Sequence, residues 1–188
     1  MGEPLTFVVT LVLRVVALLF LLRFVLQAVH ASFYNPVSEG IVRFTNPVLD
    51  PVRKVLRPYR NLDFASFVTA WVAHMLAVTF HIWSAGLSIE VFAIVTDGLR
   101  TTLSLVVGIF MVAIFVSIIM SWIAPQVYSP AAIIARELAE PLLAPARRIL
   151  PPLGGIDLSP MITIVVLMLI QGYVIGVVLP CQYLSWCG

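Results

Sequence analysis

Two stretches of this chain carry one pattern: residues 46–58 read NPVLDPVRKVLRP, and residues 140–152 read EPLLAPARRILPP. Each stretch places apolar residues at i, i+1, i+4, i+7 and i+8, which is one face of an α-helix. That face consists of Val48, Leu49, Val52, Val55 and Leu56 in the first stretch and of Leu142, Leu143, Ala146, Ile149 and Leu150 in the second. The pattern predicts two amphipathic helices, within residues 37–58 and 131–152.

Prolines and basic residues recur at matching positions in both stretches. They are the candidate surface or partner-binding residues Pro47, Pro51, Arg53, Lys54 and Arg57 in the first copy and Pro141, Pro145, Arg147 and Arg148 in the second. Asn46 is predicted to cap the first helix, with Pro47 at its first position, where a missing N–H costs nothing. Pro51, about one turn in, is expected to bend or divide the segment.

Two interpretations of these amphipathic segments are open. Each helix either lies in the membrane interface, with its apolar side in the acyl chains and its basic side near anionic headgroups, or packs as a lid on the ends of a helical bundle. The surface interpretation is favoured slightly. Both interpretations place the two segments on one side of a membrane.

The similarity between the two copies extends beyond these stretches. Adding 94 to a residue number between 34 and 63 gives nine identical residues over thirty ungapped positions. Prolines and charged residues, which are scarce in this chain, carry most of the matches. The sequence therefore predicts an internal duplication, with a first repeat at residues 1–86 and a second at 87–188.

The composition is that of a membrane protein. The chain has 188 residues, of which 61% are hydrophobic and 11% charged, against about 45–50% and 25% in a soluble domain. Four stretches are long enough to cross a bilayer: 5–26, 64–86, 101–123 and 159–179. Their continuous apolar character favours helices over a β-barrel. Residues 87–99 are ambiguous, either a surface helix or an extension of a neighbouring membrane helix.

The predicted fold is an all-α membrane protein with four transmembrane helices in two parallel repeats, each a helix, an amphipathic segment and a second helix. Basic residues concentrate in the two linkers, as Arg43, Arg53, Lys54, Arg57 and Arg60 in one and Arg136, Arg147 and Arg148 in the other. The positive-inside rule then places both linkers in the cytoplasm and both termini outside. The first helix lacks the features of a cleaved signal peptide and is expected to be retained.

The candidate polar residues within the predicted spans are Arg14, His74, His81 and Gln171. An ionised Arg14 costs about 2.5–3.5 kcal/mol to insert, so it is either a functional group or one half of a structural pair. His74 and His81 are about 10 Å apart along one helix face, too far to bind one metal ion. Hydrogen bonding to neighbouring helices is favoured over a proton path. Gln171 adjoins a Gly172-x-x-x-Gly176 spacing, which suits close helix packing or oligomerisation.

Several classes of function are disfavoured. No phosphate-binding loop, zinc-protease motif or nucleophile with an evident base is present, so the chain is predicted to be no enzyme and to need no cofactor or metal. A net charge of +2 is too small to indicate nucleic-acid binding.

Cys181 and Cys187 are predicted to lie outside. At that location the two residues can form a disulfide or stay as two free thiols, and the sequence does not choose between these states.

The helices around FYNPVSEGIVRFTNPVLDPVRKVLRP, with the second copy YSP…ELAEPLLAPARRILPPLGGIDLSPM, resemble the YggT family over almost the whole chain. The paired Pro-x-x-x-Pro-x-Arg-[Lys/Arg] signatures, at 47–54 and 141–148, are the most specific part. The first copy departs from the family pattern because it lacks the Gly-Gly that precedes Asp157 in the second. The resemblance implies a bacterial inner-membrane protein, with relatives linked to osmotic-shock tolerance and ion balance, to division and nucleoid or chloroplast organisation, or to haem attachment. It supplies no catalytic motif.

Two functions are compatible with these sequence features. The favoured one is a scaffold or assembly factor whose basic segments bind anionic lipid or other membrane proteins, with self-association as a further option. The alternative is an ion or small-solute transport component in osmotic or ion homeostasis, in which Arg14 and the two histidines line part of a path. The scarcity of polar residues within the spans favours the scaffold.

Overall fold

The computed structural model describes residues 3–123, 129–149 and 157–179, and it is helical almost throughout these ranges. The helices are α1 (Glu3–Ala28), α2 (Pro36–Val55), α3 (Phe64–Ser84), α4 (Val91–Ile123), α5 (Pro130–Ile149) and α6 (Ser159–Leu169). A π-helical turn (Ile170–Ile175) and a last α-helical turn, α7 (Gly176–Val178), continue α6. Four of the helical segments are long and apolar enough to cross a membrane. The predicted all-α fold with four transmembrane helices is confirmed.

Helix α4 settles the ambiguous segment between the repeats. It begins at Val91 and runs for 33 residues, so residues 91–99 lengthen the third membrane helix and form no separate surface helix. A helix of this length measures about 50 Å, against about 30 Å for the hydrocarbon core of a bilayer. Part of α4 must therefore extend beyond the hydrocarbon or tilt within it.

Helix α2 begins eleven residues before Pro47, the predicted first helical position. Asn35 is its N-cap, with a side-chain oxygen that accepts a hydrogen bond from the Val37 N–H at 3.0 Å, and Pro36 is the first helical residue. The predicted cap at Asn46 and start at Pro47 are wrong, because both residues lie inside one continuous helix. Pro51 does not divide it either. Pro47 and Pro51 lie on the exposed side of α2. A proline has no N–H to donate to the carbonyl group one turn earlier, and on the exposed side that carbonyl group needs no partner from the protein core.

The predicted apolar face of α2 is divided between two surroundings. Leu49 is fully buried in the core formed with α1 and α3, and Val52 and Leu56 pack against that core. Val48 and Val55 point outward, on one exposed stripe with Val37 and Phe44. These four residues are spaced by seven, four and seven positions, which is one side of a helix. Helix α2 is thus packed on the bundle as a lid while it retains an apolar side free of the protein.

Helix α5 joins the two repeats. Ile134 and Leu138 belong to the core cluster of the first repeat, while Ala139 and Leu143 pack with residues of α4 and α6. Two hydrogen bonds reinforce the junction. Ser32 N–H donates to Glu137 Oε2 at 3.0 Å, and Asn35 Nδ2 donates to the Pro130 carbonyl at 2.8 Å. Helices α2 and α5 therefore lie at the same end of the bundle, here called the basic end.

Candidate functional site

The basic end contains an ion-pair cluster around Asp63, the residue immediately before α3. The Asp63 carboxylate is fully buried and accepts hydrogen bonds from Arg53 Nη2, from Arg53 Nε at 3.4 Å and from Ser66 Oγ at 2.7 Å. Arg23 Nε lies 3.9 Å from Asp63 Oδ2. Because Arg23 belongs to α1 and Arg53 to α2, one carboxylate connects three helices.

Burial alone would raise the pKa of Asp63. Hydrogen bonds from Arg53 and Ser66, together with the positive charges of Arg53 and Arg23, outweigh that effect and hold the pKa below its ordinary value. The carboxylate is therefore ionised at neutral pH and is a permanent partner for both guanidinium groups.

Arg23 fastens α2 to the end of α1. Its Nη1 donates to the Val42 carbonyl at 3.0 Å and to Thr45 Oγ1 at 2.7 Å, and Thr45 in turn donates to the Ile41 carbonyl at 2.7 Å. In the sequence, Arg23 is a basic residue near the end of the first predicted span, 5–26. Its contact with α2 could not be predicted from the sequence, because its partners there are a backbone carbonyl and a threonine hydroxyl.

A tight turn brings Asp63 back to Arg53. Tyr59 and Leu62 exchange two backbone hydrogen bonds of 3.1 Å, and Arg60 between them has a φ of 51°. A positive φ in this range is strained for a residue with a Cβ and ordinary for glycine. Arg60 corresponds to Gly154 of the second copy, the first residue of the Gly-Gly pair that the first copy lacks.

The second repeat reproduces the ion pair in a more open form. Arg147 Nε donates to Asp157 Oδ2 at 2.9 Å, and Arg147 Nη1 donates to both oxygens of Glu140 at 2.9 Å. Hydrogen bonding to Asp157 is the main cause that raises the pKa of Arg147. Asp157 has its pKa lowered because hydrogen bonds from Ser159 and Arg147 outweigh its partial desolvation. The same arginine and aspartate therefore connect the amphipathic helix to the following membrane helix in both repeats.

The structure divides the predicted surface residues into two groups. Arg53 and Arg147 are engaged in ion pairs within the chain. The others are exposed: Pro47, Pro51, Lys54, Arg57, Pro141, Pro145 and Arg148. The paired arginines hold α2 and α5 in place, and the exposed basic residues remain available to a binding partner.

The intramembrane residues lie on three helices. His74 is buried between α3 and α4, and its Nδ1 is 2.8 Å from Thr102 Oγ1. Through this contact His74 bonds to a neighbouring helix. Half-buried Arg14 on α1 is close enough to His74 to interact with it electrostatically. His81 is half-buried one turn before the end of α3.

Gln171 lies on the outward side of the bundle. It is exposed within the π-helical turn, and its side-chain amide makes no hydrogen bond to a residue in the described ranges. A Cβ added at Gly172 would meet no atom within 4 Å, so the Gly172–Gly176 spacing mediates no close helix contact in the described part of the chain. The oligomerisation that this spacing suggests stays a prediction.

No group of three or more metal-ligating side chains occurs within residues 3–123, 129–149 and 157–179. Cys181 and Cys187 lie outside the described residues.

The comparison with known families agrees with this architecture. The model of the CCB3/YggT family matches the chain twice, over residues 2–84 and 96–178. The chain belongs to the CCB3/YggT family. The two matches begin 94 positions apart, the same offset that relates the two copies of the proline and arginine pattern. The predicted internal repeat and family are both confirmed.

Several proteins similar to this YggT-family chain are named as uncharacterized. An uncharacterized protein of Pseudomonas aeruginosa is 39% identical over 85% of this chain and 82% of its own length. The uncharacterized protein YggT of Escherichia coli K12 is 38% identical over 90% of this chain and 88% of its own length. A Haemophilus influenzae protein is 34% identical over 85% of this chain and 84% of its own length. No solved structure matches the chain.

Proposed function

We propose that this protein is a non-enzymatic scaffold or assembly factor of the bacterial inner membrane, which presents α2 and α5 to cytoplasmic or membrane-embedded partners. One observation supports this above all others. Both helices are fastened to the membrane bundle by the arginine–aspartate pair at their C-terminal ends, while neighbouring basic side chains stay exposed. A firmly held helix loses little conformational entropy when a partner binds it.

The exposed residues give the basic end a defined chemistry. Lys54 and Arg57 continue the α2 segment beyond Arg53, and Arg148 follows Arg147 on α5. Cationic side chains at such a position attract acidic protein surfaces or anionic headgroups, with about 1 kcal/mol for each residue near an anionic membrane. The adjoining apolar stripe of α2 suits contact with acyl chains or with an apolar partner surface.

The orientation follows from the basic linkers. By the positive-inside rule, the basic end faces the cytoplasm and both termini lie outside. Cysteine labelling tests this in a variant with Cys181 and Cys187 replaced by serine. An Arg57→Cys site should react with an impermeant maleimide only after the inner membrane is opened, and an Ile89→Cys site should react in intact spheroplasts. The reversed pattern would contradict the orientation.

Photo-crosslinking in living cells tests the scaffold function. A photoreactive amino acid at position 57 or 148 should form a discrete protein adduct, because both residues are exposed at the basic end. The same amino acid at position 89, between α3 and α4, is the matched control and should not form that adduct. Identical adducts at all three positions, or none at 57 and 148, would argue against the scaffold.

A second candidate function is ion or small-solute transport in osmotic or ion homeostasis. Its support is the buried contact between His74 and Thr102, with Arg14 in electrostatic reach, at the junction of three membrane helices. Flux of potassium, sodium and protons through proteoliposomes tests it. Selective flux that Arg14→Ala or a His74/His81 double alanine abolishes would establish transport in place of the scaffold.

A further inference from the structure

We propose that the cleft beside the Asp63 cluster binds a phosphate group that carries a primary ammonium, the chemistry of a phosphoethanolamine headgroup. The cleft has a volume of about 490 Å³ and opens at the basic end between α1, α2 and the two linker turns. Its lining includes Arg23, Gln27, Phe33, Glu39, Arg53 and Pro58. These residues belong to no exposed basic group assigned above, so the inference goes beyond the scaffold function.

Two guanidinium groups in this cleft have unused hydrogen-bond donors. Arg23 uses Nη1 for Val42 and Thr45, and its buried Nε makes no hydrogen bond to any described residue. Arg53 uses Nε and Nη2 for Asp63. Arg23 Nη2 and Arg53 Nη1 donate to no described residue either. A guanidinium group presents five N–H donors in a fixed fork, so both arginines can accept a further ligand without giving up their present bonds.

The number of free donors favours phosphate over carboxylate. A carboxylate has two oxygens, whereas a phosphate group presents more oxygens to donors that approach from two directions. Arg23 is almost wholly buried, so an anionic oxygen that reached it would be partly shielded from water. Charge-assisted hydrogen bonds are about twice as strong as neutral ones.

Glu39 is the residue in the cleft that can bind the ammonium group of the ligand. It is exposed on α2 and lines the same cleft as the two arginines. The two guanidinium groups and the carboxylates of Asp63 and Glu39 have formal charges that sum to zero, so a purely anionic ligand would leave excess negative charge. A zwitterion places its phosphate at the arginines and its ammonium at Glu39 and keeps the cleft neutral.

The uncharged wall of the cleft accommodates the rest of such a molecule. Phe33 and Pro58 supply apolar surface, and Gln27 supplies one amide that can bond to an ester or glycerol oxygen. The ligand can come from the bilayer, as phosphatidylethanolamine, or from water, as glycerophosphoethanolamine. Both share the recognised chemistry, and the experiment separates them.

The test uses the full chain in detergent with equal amounts of phosphatidylethanolamine and phosphatidylglycerol, and native mass spectrometry counts the bound lipids. Wild-type protein should retain the ethanolamine lipid several-fold more than the glycerol lipid. Glu39→Gln should abolish that preference, because it removes the carboxylate that accepts the charge-assisted hydrogen bond of the ammonium. The matched control is Glu90→Gln, the same substitution at an exposed acid between α3 and α4 that does not line the cleft, and it should keep the wild-type preference.

A second arm adds soluble glycerophosphoethanolamine as competitor, with ethanolamine as a phosphate-free control. Displacement of the lipid by the soluble compound but not by ethanolamine supports the site with a ligand taken from water. Lipid retention without displacement supports it with a ligand taken from the bilayer. Equal retention of both lipids by wild-type protein, or the same change in Glu39→Gln and Glu90→Gln, would overturn the proposal. Either result leaves the scaffold function standing, since the exposed basic residues are not involved.

Discussion

Arg53 forms an ion pair with the buried carboxylate of Asp63 in the first repeat, and Arg147 and Asp157 form the corresponding pair in the second, 94 positions later. In each repeat the pair connects the end of the amphipathic helix to the start of the following membrane helix. The side chain of Asp63 is fully buried, whereas that of Asp157 is 37% exposed. One contact is therefore present twice in one molecule, in two different surroundings.

This difference predicts unequal effects of the same substitution. Asp63→Asn should lower the free energy of unfolding by about 3–5 kcal/mol, because it leaves the buried Arg23 and the half-buried Arg53 without their carboxylate. Asp157→Asn should cost no more than about 1 kcal/mol, since water can replace an exposed partner. The two losses of unfolding free energy can be measured by unfolding both variants in mixed micelles with increasing amounts of dodecyl sulfate. Equal losses would show that burial does not strengthen the first pair.

The low pKa of Asp63 predicts a specific acid sensitivity. A carboxyl group whose pKa is lower in the folded state stabilises the protein fully above its unfolded pKa of about 3.9. That stabilisation is lost as the pH falls through the lower, folded value. The melting temperature of the wild type should therefore drop below about pH 4, and Asp63→Asn should show a smaller drop there. Parallel pH profiles of the two proteins would contradict the assignment.

The backbone at Arg60 predicts a stabilising substitution. Because its φ of 51° favours glycine, Arg60→Gly should be more stable than Arg60→Ala by about 1 kcal/mol. The alanine variant is the proper reference, since both lose the contact of the Arg60 guanidinium with the Tyr59 ring, 5.6 Å from its centroid. Thermal unfolding measures the difference in stability between the two variants. Equal stability of the alanine and glycine variants would mean that the backbone at Arg60 is not strained.

Close packing between α3 and α4 predicts a site intolerant of any side chain. A Cβ at Gly98 would lie 2.7 Å from Met75 Cγ and 3.3 Å from the Met75 backbone nitrogen. Gly98→Ala should therefore destabilise the protein by about 1–3 kcal/mol through overpacking. Gly108→Ala on the same helix meets nothing within 4 Å and should leave stability unchanged or slightly higher. Similar melting temperatures for the two variants would contradict the packing at Gly98.

The sequence predicts the membrane helices and the repeat well. A continuous apolar run long enough to cross a bilayer is a strong local signal, and the 94-residue offset depends on rare residues that are easy to match. The boundaries of α2 were harder. Its first half buries Ser38 and Thr45 beside Ile41, and small polar residues on the packed side conceal the helical pattern.

The ion-pair cluster was not predictable from local pattern. Arg53 looked like a surface charge because it follows Pro51 in a basic segment, and Asp63 lies ten positions further along the chain. Their contact depends on the turn at Tyr59–Leu62, which returns the chain toward α2. The duplication held one clue, since Asp63 and Asp157 occupy matching positions. A matched aspartate beside a matched arginine is the signal from which a pair in each repeat could have been inferred.

The most direct test of the scaffold function measures the mass of the native complex extracted from cells in mild detergent. A triple variant, Lys54→Gln, Arg57→Gln and Arg148→Gln, removes the exposed charges, and its control, Lys54→Arg, Arg57→Lys and Arg148→Lys, keeps them. We predict that the wild type and the control migrate as one complex larger than the chain alone, and that the neutral variant is smaller. Identical masses for all three proteins would contradict the claim that these basic residues bind a partner.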